Sequence, residues 1–322
     1  MTTKTPTKVV VDDGSTQAKV VHKHGGKWKG CTCITRVVHG ALNKGVEVHP
    51  AAYLVGSTSY TVHASAANPM PNQSLHYQVS EYNAVAVHNA LIEAGLGGVK
   101  VDLVVTLPTA DFYGANGDVL VEKKKENLKS KVSNLAGRPT AIISNVSVYP
   151  EAVPIVAEVI FSPDGEYEED FEEDSRFLVI DIGGTTTDMA VVTGSLDVEN
   201  YKSVRHGVLG LMTEAEQNLM RAKGLSTIGD AYMQKAVKQG SDDQDTLDAI
   251  EAARVTLLQH IVSNTEQLAP EWRTFDRVIV AGGGSIVLKD KLHDYFGEKF
   301  ETPSEPVGAL AIGAYKLEMM DE

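Results

Sequence analysis

Apolar positions along this chain gather into short solid runs that stop on acidic residues and glycines, with longer mixed stretches between them. Phe177–Val192, FLVIDIGGTTTDMAVV, shows the pattern most clearly. Four apolar residues, Phe177–Ile180, end on Asp181, a Gly/Thr cluster follows, and a second apolar run starts at Met189. This predicts two strands joined by a tight turn. Val9–Val21, VVVDDGSTQAKVV, repeats it with a three-residue entry. Asp12 corresponds to Asp181, Gly14 to Gly183 and Thr16 to Thr185, each at an offset of 169 residues. A hairpin that occurs twice predicts two similar halves facing each other across a cleft.

The remaining pattern alternates the two periods. Tyr82–Ala94 predicts a helix stopped by Gly95, and Val99–Leu107 a buried strand ended by Pro108. Val119–Leu135, with its solvated run Lys123–Lys125, predicts an exposed helix, and Ala141–Val148 a further strand. Residues 22–80 mix short β-like pieces with Gly, Asn and Pro, as in a small, irregular β-rich subdomain. After a strand near Val198–Val204, helices are predicted at Val208–Ala222, Asp230–Lys238 and Thr246–Leu268. The last of these carries Leu247, Ile250, Val255, Leu258, Ile261 and Val262 on one side. Phe275–Ala281 reads as a strand running through Gly282–Ser285 into a helix near Ile286. Pro306–Leu317 reads as a helix with a small-residue face at Gly308, Ala309, Ala311, Gly313 and Ala314. Strand and helix in alternation indicate an α/β layered fold.

Composition narrows the class. A chain of 322 residues is long enough for two domains, and 43% hydrophobic with 22% charged content fits a globular protein. No apolar run is long enough to span a bilayer and the N-terminus has no apolar signal core, so a cytoplasmic protein without a membrane role is expected. The net charge of −14 argues against direct binding to duplex DNA; a nucleic-acid role would pass through a second, basic protein. The acidic run Asp164–Asp174 reads as a solvated loop between the halves. Cys31 and Cys33 are too close for an easy disulfide and too few for a zinc site, and read as reduced thiols. His22 and His24 have no evident third ligand and read as surface residues.

The candidate chemistry collects at the turns. Gly14, Gly183 and Gly184 let the backbone approach a ligand, and turn N–H groups with the hydroxyls of Ser15, Thr16, Thr185 and Thr186 can surround a phosphate. Asp12 and Asp181, at strand ends, can hold Mg²⁺ through water. Lys19 follows the first turn, within reach of a phosphate, and Asp188 opens the second return strand. Glu151 follows Tyr149-Pro150 at a helix start, where it can orient a water near a terminal phosphate. Gly282, Gly283, Gly284 and Ser285 form a third glycine turn, suited to a flat or anionic ligand.

Taken in order, DDGST, PEAVP, DIGGTTTD, AGGGS and PVGALAIGA resemble the five nucleotide-site motifs of the actin, Hsp70 and sugar-kinase superfamily. Within it, VVVDDGSTQAK, NAVAVHNALIEAGL…VDLVVTLPTADFY and VIDIGGTTTD are most similar to the ParM/StbA family of plasmid-segregation ATPases. The resemblance implies an actin-like fold of two similar α/β domains with a nucleotide cleft between them. Domain I would span 1–174, with 307–322 returning to it and the small subdomain at about 22–80; domain II would span 175–306. It also implies ATP or ADP with Mg²⁺, and possible use of GTP. Val11–Lys19 would be the first phosphate loop, Ile180–Asp188 the second and Val280–Ile286 the adenosine loop, with Val148–Pro154 and Pro306–Ala314 the connecting helices; within them Asp13–Thr16, Lys19, Gly183–Thr186, Asp188 and Gly282–Ser285 would bind the nucleotide. Asp12, Asp181 and Glu151 would be catalytic. Self-assembly into filaments and a ParR-like basic adaptor on a centromere-like DNA site are implied as partners. A small-molecule kinase, with Asp188 as base, or a nucleotide-dependent scaffold are the alternatives on the same fold.

Overall fold

The unbroken valine run Val9–Val11 is wholly buried at the centre of a sheet, as expected for a strand covered on both faces. The computed structural model describes residues 5–24, 27–65, 68–71, 76–168 and 172–320. The chain divides into two units, Met1–Tyr167 with Leu310–Glu322, and Glu168–Ala309.

In the first unit β1 (Thr7–Asp13), β2 (Gln17–His24) and β3 (Lys27–Ile34) form an antiparallel meander. Short strands follow: β4 (Val37–His39), β5 (Asn43–Lys44), β6 (Glu47–Val48), β7 (Ala52–Val55) and β8 (Thr58–Val62). Helix α1 (Glu81–Glu93) starts at Ser80, whose hydroxyl accepts from the Asn83 N–H at 3.2 Å. Then come β9 (Lys100–Leu107), α2 (Thr109–Phe112), α3 (Gly117–Leu128), β10 (Val132–Asn134), β11 (Ile142–Pro150) and α4 (Ala152–Ile160). The main sheet runs β11-β9-β1-β2-β3, with β1, β9 and β11 parallel; a second sheet runs β10-β7-β8-β4.

Three expectations change here. Residues 27–34 belong to the main sheet, so the small β-rich part starts beyond them. The helix expected to reach Leu135 stops at Leu128, and Val132–Asn134 pairs with β7 instead. Lys124, expected in solvent, is fully buried. Along α3 it lies one turn before Leu128 and two turns after Gly117, on the helix's inward stripe.

The second unit repeats the plan. It holds β12 (Arg176–Ile182), β13 (Thr187–Thr193), β14 (Val198–Val204), α5 (Val208–Lys223), α6 (Asp230–Gln239), α7 (Gln244–Leu268), β15 (Arg277–Ala281), α8 (Gly283–Val287), α9 (Lys289–Phe296) and β16 (Phe300–Glu301). The sheet order β14-β13-β12-β15-β16, with β12, β15 and β16 parallel, reproduces β3-β2-β1-β9-β11 strand for strand. The buried face of α7 differs from the expected one. Thr246, Ala249, Ile250, Ala253, Leu257, Ile261, Thr265 and Leu268 are buried, while Leu247 and Val255 are exposed. Small residues at 249 and 253 allow close packing against α5, which offers Leu211, Ala215 and Leu219.

Helix α10 (Ala309–Met320) returns to the first unit, where Ala311, Ala314 and Tyr315 pack on Val10, Val21 and Val104. Its small-residue face lies on α4: a Cβ on Gly313 would overlap the Pro154 carbonyl. Lys316 Nζ donates to the carbonyls of Glu158 at 2.5 Å and Phe161 at 2.6 Å, capping the C-terminal end of α4.

Candidate functional site

In the first unit the turn Gly14–Thr16 joins β1 to β2 at the C-terminal edge of the parallel strands. In α/β sheets that is the edge where ligands bind. Asp12 and Lys19 stand opposite each other in the register, and Lys19 Nζ donates to Asp12 Oδ2 at 2.8 Å. A Cβ on Gly14 would stand 3.0 Å from the Gln17 carbonyl and 3.4 Å from Lys19 Nζ, so a side chain there crowds the turn. Thr35 ties the turn down, its hydroxyl donating to the Ser15 carbonyl at 2.9 Å. Thr16 is exposed at the tip. Asp13 points to the other face of the strand, where Lys124 and Asn83 occupy its carboxylate.

Glu151 sits at the end of β11, at the N-terminal cap of α4, half-buried. Its N–H donates to the Leu107 carbonyl at 3.0 Å, and the following Ala152 N–H donates to Thr109 Oγ1 at 3.1 Å. Because β11, β9 and β1 are neighbours in parallel, Glu151 and the first turn share one sheet edge, two strand spacings apart, or about 10 Å.

In the second unit Gly183–Thr186 join β12 to β13. The Gly183 N–H donates to the Thr186 carbonyl at 2.9 Å, and Thr186 Oγ1 donates to Asp188 Oδ2 at 2.9 Å. The start of α5 closes over this turn: the N–H groups of Val208 and Leu209 donate to the carbonyls of Gly183 and Gly184 at 3.1 and 2.8 Å. A Cβ on Gly207 would collide with Gly184. Thr187 Oγ1 donates to the His206 carbonyl at 2.6 Å. The His206 ring stacks on His260 at 3.9 Å, and burial, then His260, hold it below the usual imidazole range.

The third glycine turn follows β15, next to β12 in parallel, with Asp181 opposite Ala281. Gly282 has φ +79°, and a Cβ on it would crowd Asp181 Oδ1 and the Ile182 carbonyl. Gly284 packs against Ile182, whereas nothing lies within 4 Å of a Cβ on Gly283, which faces open space. Ser285 Oγ donates to the Gly282 carbonyl at 2.8 Å, closing the turn. Asp181, Gly183–Thr186, Asp188 and Gly282–Ser285 therefore share one edge of the second unit. A separate hollow of about 520 Å³, lined by Trp272, Arg273 and Phe296, lies at the other end of β15.

Sequence reasoning missed the supporting residues Gln78, Asn83, Thr35, Lys124 and His206. Of these only Lys124 had a local signal, its helical spacing from Leu128. Among the described residues no group of three or more His, Cys, Asp or Glu could hold a metal ion, and no helix is long and apolar enough to cross a membrane. Cys31 and Cys33 are free thiols on β3, Sγ to Sγ 3.7 Å.

Two five-stranded sheets of identical order, each with a glycine hairpin at its C-terminal edge, define an actin-like protein. Residues 7–161 match the family model described as plasmid segregation protein ParM, N-terminal, and 179–294 match that of the archaeal actin homologue MreB-like, C-terminal. The archaeal actin homologue Ta0583 superposes with a TM-score of 0.78 at 19% identity, covering 97% of this chain and 99% of that one. Its complex with ADP gives 0.73 at 20% identity, covering 96% and 97%. The 15-stranded ParM filament of Clostridium botulinum gives 0.73 at 17% identity, covering 98% and 99%. At these identities the structural likeness shows the fold. A search of curated proteins by sequence gave no match.

Proposed function

We propose that this chain is a filament-forming nucleotidase that uses ATP or GTP to move plasmid DNA. The observation that carries the reading is the hairpin built twice, at the same edge of two sheets of the same order. The turn N–H groups of Asp13–Thr16 and Gly183–Thr186, with their hydroxyls, would hold the phosphates, and Lys19 would supply a cation. Gly282–Ser285 would take the nucleoside, where Gly283 leaves room. Glu151 would orient the attacking water, supported by its place on the edge that carries the first turn.

A divalent cation fits the donor set. Asp181 and Asp188 face each other across β12 and β13, and two carboxylates so placed repel unless a cation lies near. Asp181 and Asp12, the latter 5% exposed, would hold Mg²⁺ through water. When bound, Mg²⁺ would shield the charge of the β- and γ-phosphates.

Filament formation is supported by the ParM-type fold, shared with a neighbour solved as a filament. An acidic chain suits a basic, ParR-like adaptor on a centromere-like DNA site better than DNA itself. Sedimentation with and without ATP or GTP, with phosphate release followed in the same sample, tests the reading. Nucleotide-dependent pelleting with phosphate release and no acceptor is expected. Phosphoryl transfer to a small-molecule acceptor, with no phosphate released in its absence, would instead make the chain a kinase.

A further inference from the structure

Asp13 and Lys124 form an ion pair inside the first unit that the proposed chemistry does not use. Their side chains are 1% and 0% exposed. Lys124 Nζ donates to Asp13 Oδ1 at 2.9 Å and Oδ2 at 2.8 Å, to the Thr106 carbonyl at 2.6 Å, and to Gln78 Oε1. Asn83 Nδ2 donates to Asp13 Oδ2 at 2.6 Å. One ammonium thus links the end of β1 to α3, to β9 and to the 3-10 turn Tyr77–Val79, and Asn83 adds α1.

A buried ion pair is a poor device for stability alone, since well-packed apolar groups of similar volume often serve as well or better. The second unit holds that apolar solution at the equivalent place. The repeat partner of Asp13 is Ile182, wholly buried in the apolar core. A hairpin of this kind therefore forms without a charge pair beneath it. What the pair adds is direction. Charge-assisted hydrogen bonds to several fixed partners hold a strand end to a narrow geometry, where apolar contact tolerates sliding. Direction matters here because Asp13 is the last residue of β1, immediately before Gly14, and Asp12 on the opposite face holds Lys19.

We propose that Asp13 and Lys124 are positioning residues: the pair fixes Gly14–Thr16, and through β1 the Asp12–Lys19 pair, in the geometry that receives a triphosphate. This rests on the nucleotide reading above. A single truncation to an apolar residue leaves one charge buried alone and endangers folding. The informative change is the double variant Asp13→Ile with Lys124→Met, which puts the second unit's isoleucine at position 13 and removes the partner charge with a side chain of similar length. In the full chain, melting temperature is measured with affinities for ATP, adenosine, GTP and guanosine. The double variant is expected to melt near the wild-type temperature, bind its triphosphate ~10-fold or more weakly, and bind the matching nucleoside unchanged. Asp13→Asn, which keeps shape but removes the charge, provides a second arm and should show the same selective loss, smaller in size. Wild-type triphosphate affinity in the folded variants overturns the positioning role. Equal loss for triphosphate and nucleoside also overturns it, since a general structural defect would do that. If the wild-type chain binds neither triphosphate, the nucleotide reading itself falls, and this inference with it.

Discussion

Asp181 and Asp188 stand directly opposite each other on β12 and β13, at the position where the first unit pairs Asp12 with Lys19. The offset of 169 residues maps Lys19 onto Asp188, so the same cross-strand place holds an ion pair in one unit and two carboxylates in the other. Facing carboxylates are unfavourable unless a cation relieves them. Asp188→Lys would copy the first unit and supply that cation from the chain. We expect Mg²⁺ and nucleotide to raise the melting temperature of the wild type, and the variant to melt higher without Mg²⁺ and to lose that gain. Asp181→Ala should abolish Mg²⁺-dependent hydrolysis. Thermal melts across a Mg²⁺ titration, with phosphate release, check both. Wild-type turnover of Asp181→Ala at limiting Mg²⁺ would remove the residue from the metal site.

Gly282 and Gly283 are adjacent but should respond differently to alanine. Gly282 has φ +79° and lies against Asp181 and Ile182, whereas a Cβ on Gly283 meets nothing within 4 Å. Gly282→Ala is expected to cost on the order of 1–3 kcal/mol and to displace Asp181. Gly283→Ala should leave stability within about 0.5 kcal/mol. Denaturant midpoints of the two variants decide the matter, and equal effects would contradict the packing described.

Glu151→Ala should separate assembly from hydrolysis. The turns, Lys19 and the acidic strand ends remain, so nucleotide should still bind and filaments should form. Loss of a water-orienting group slows chemistry by ~10²–10⁴-fold, or roughly 3–5 kcal/mol of barrier. Light scattering and phosphate release in one sample should show filaments that persist. Normal hydrolysis would pass the role to Asp188, and absence of both binding and polymer would make Glu151 structural.

His88 gives the first unit a pH-dependent stability. It is 3% exposed within α1, and burial pushes its imidazole down to about 4, partly offset by the backbone of Leu128. Neither ring nitrogen meets full hydrogen-bond geometry among the described residues, so burial governs the shift. The native pKa lies below the unfolded value of about 6.5, so the contribution is complete above pH ~6.5. It declines as the unfolded chain takes up a proton between about 6.5 and 4, by roughly 3 kcal/mol in all. Hydrogen exchange of the α1 amides at pH 7.5 and 5 should show this loss in the wild type and a smaller one in His88→Leu. Equal losses in the two proteins would mean that folding leaves the His88 pKa at its unfolded value.

The sequence alone determined the parts that depend on near neighbours. An apolar run, an acidic stop and a glycine turn specify a hairpin locally, which is why the hairpins at Asp12 and Asp181 and the strand-to-helix glycine turn at 282–285 were legible. Alternation of strand and helix gave the layered class for the same reason. Only the tertiary structure decided what depends on residues far apart in the chain. Lys124 lies in a run of lysines, and its burial requires Asp13, Gln78 and Thr106 to converge on it. Val132–Asn134 became a strand because β7 offers an edge to pair with, overriding a helical pattern. The buried face of α7 passes through Ala249 and Ala253 rather than Leu247 and Val255, because close packing against α5 rewards small residues along the contact. Asp181 meets Gly282 only because β12 and β15, about a hundred residues apart, lie side by side in parallel.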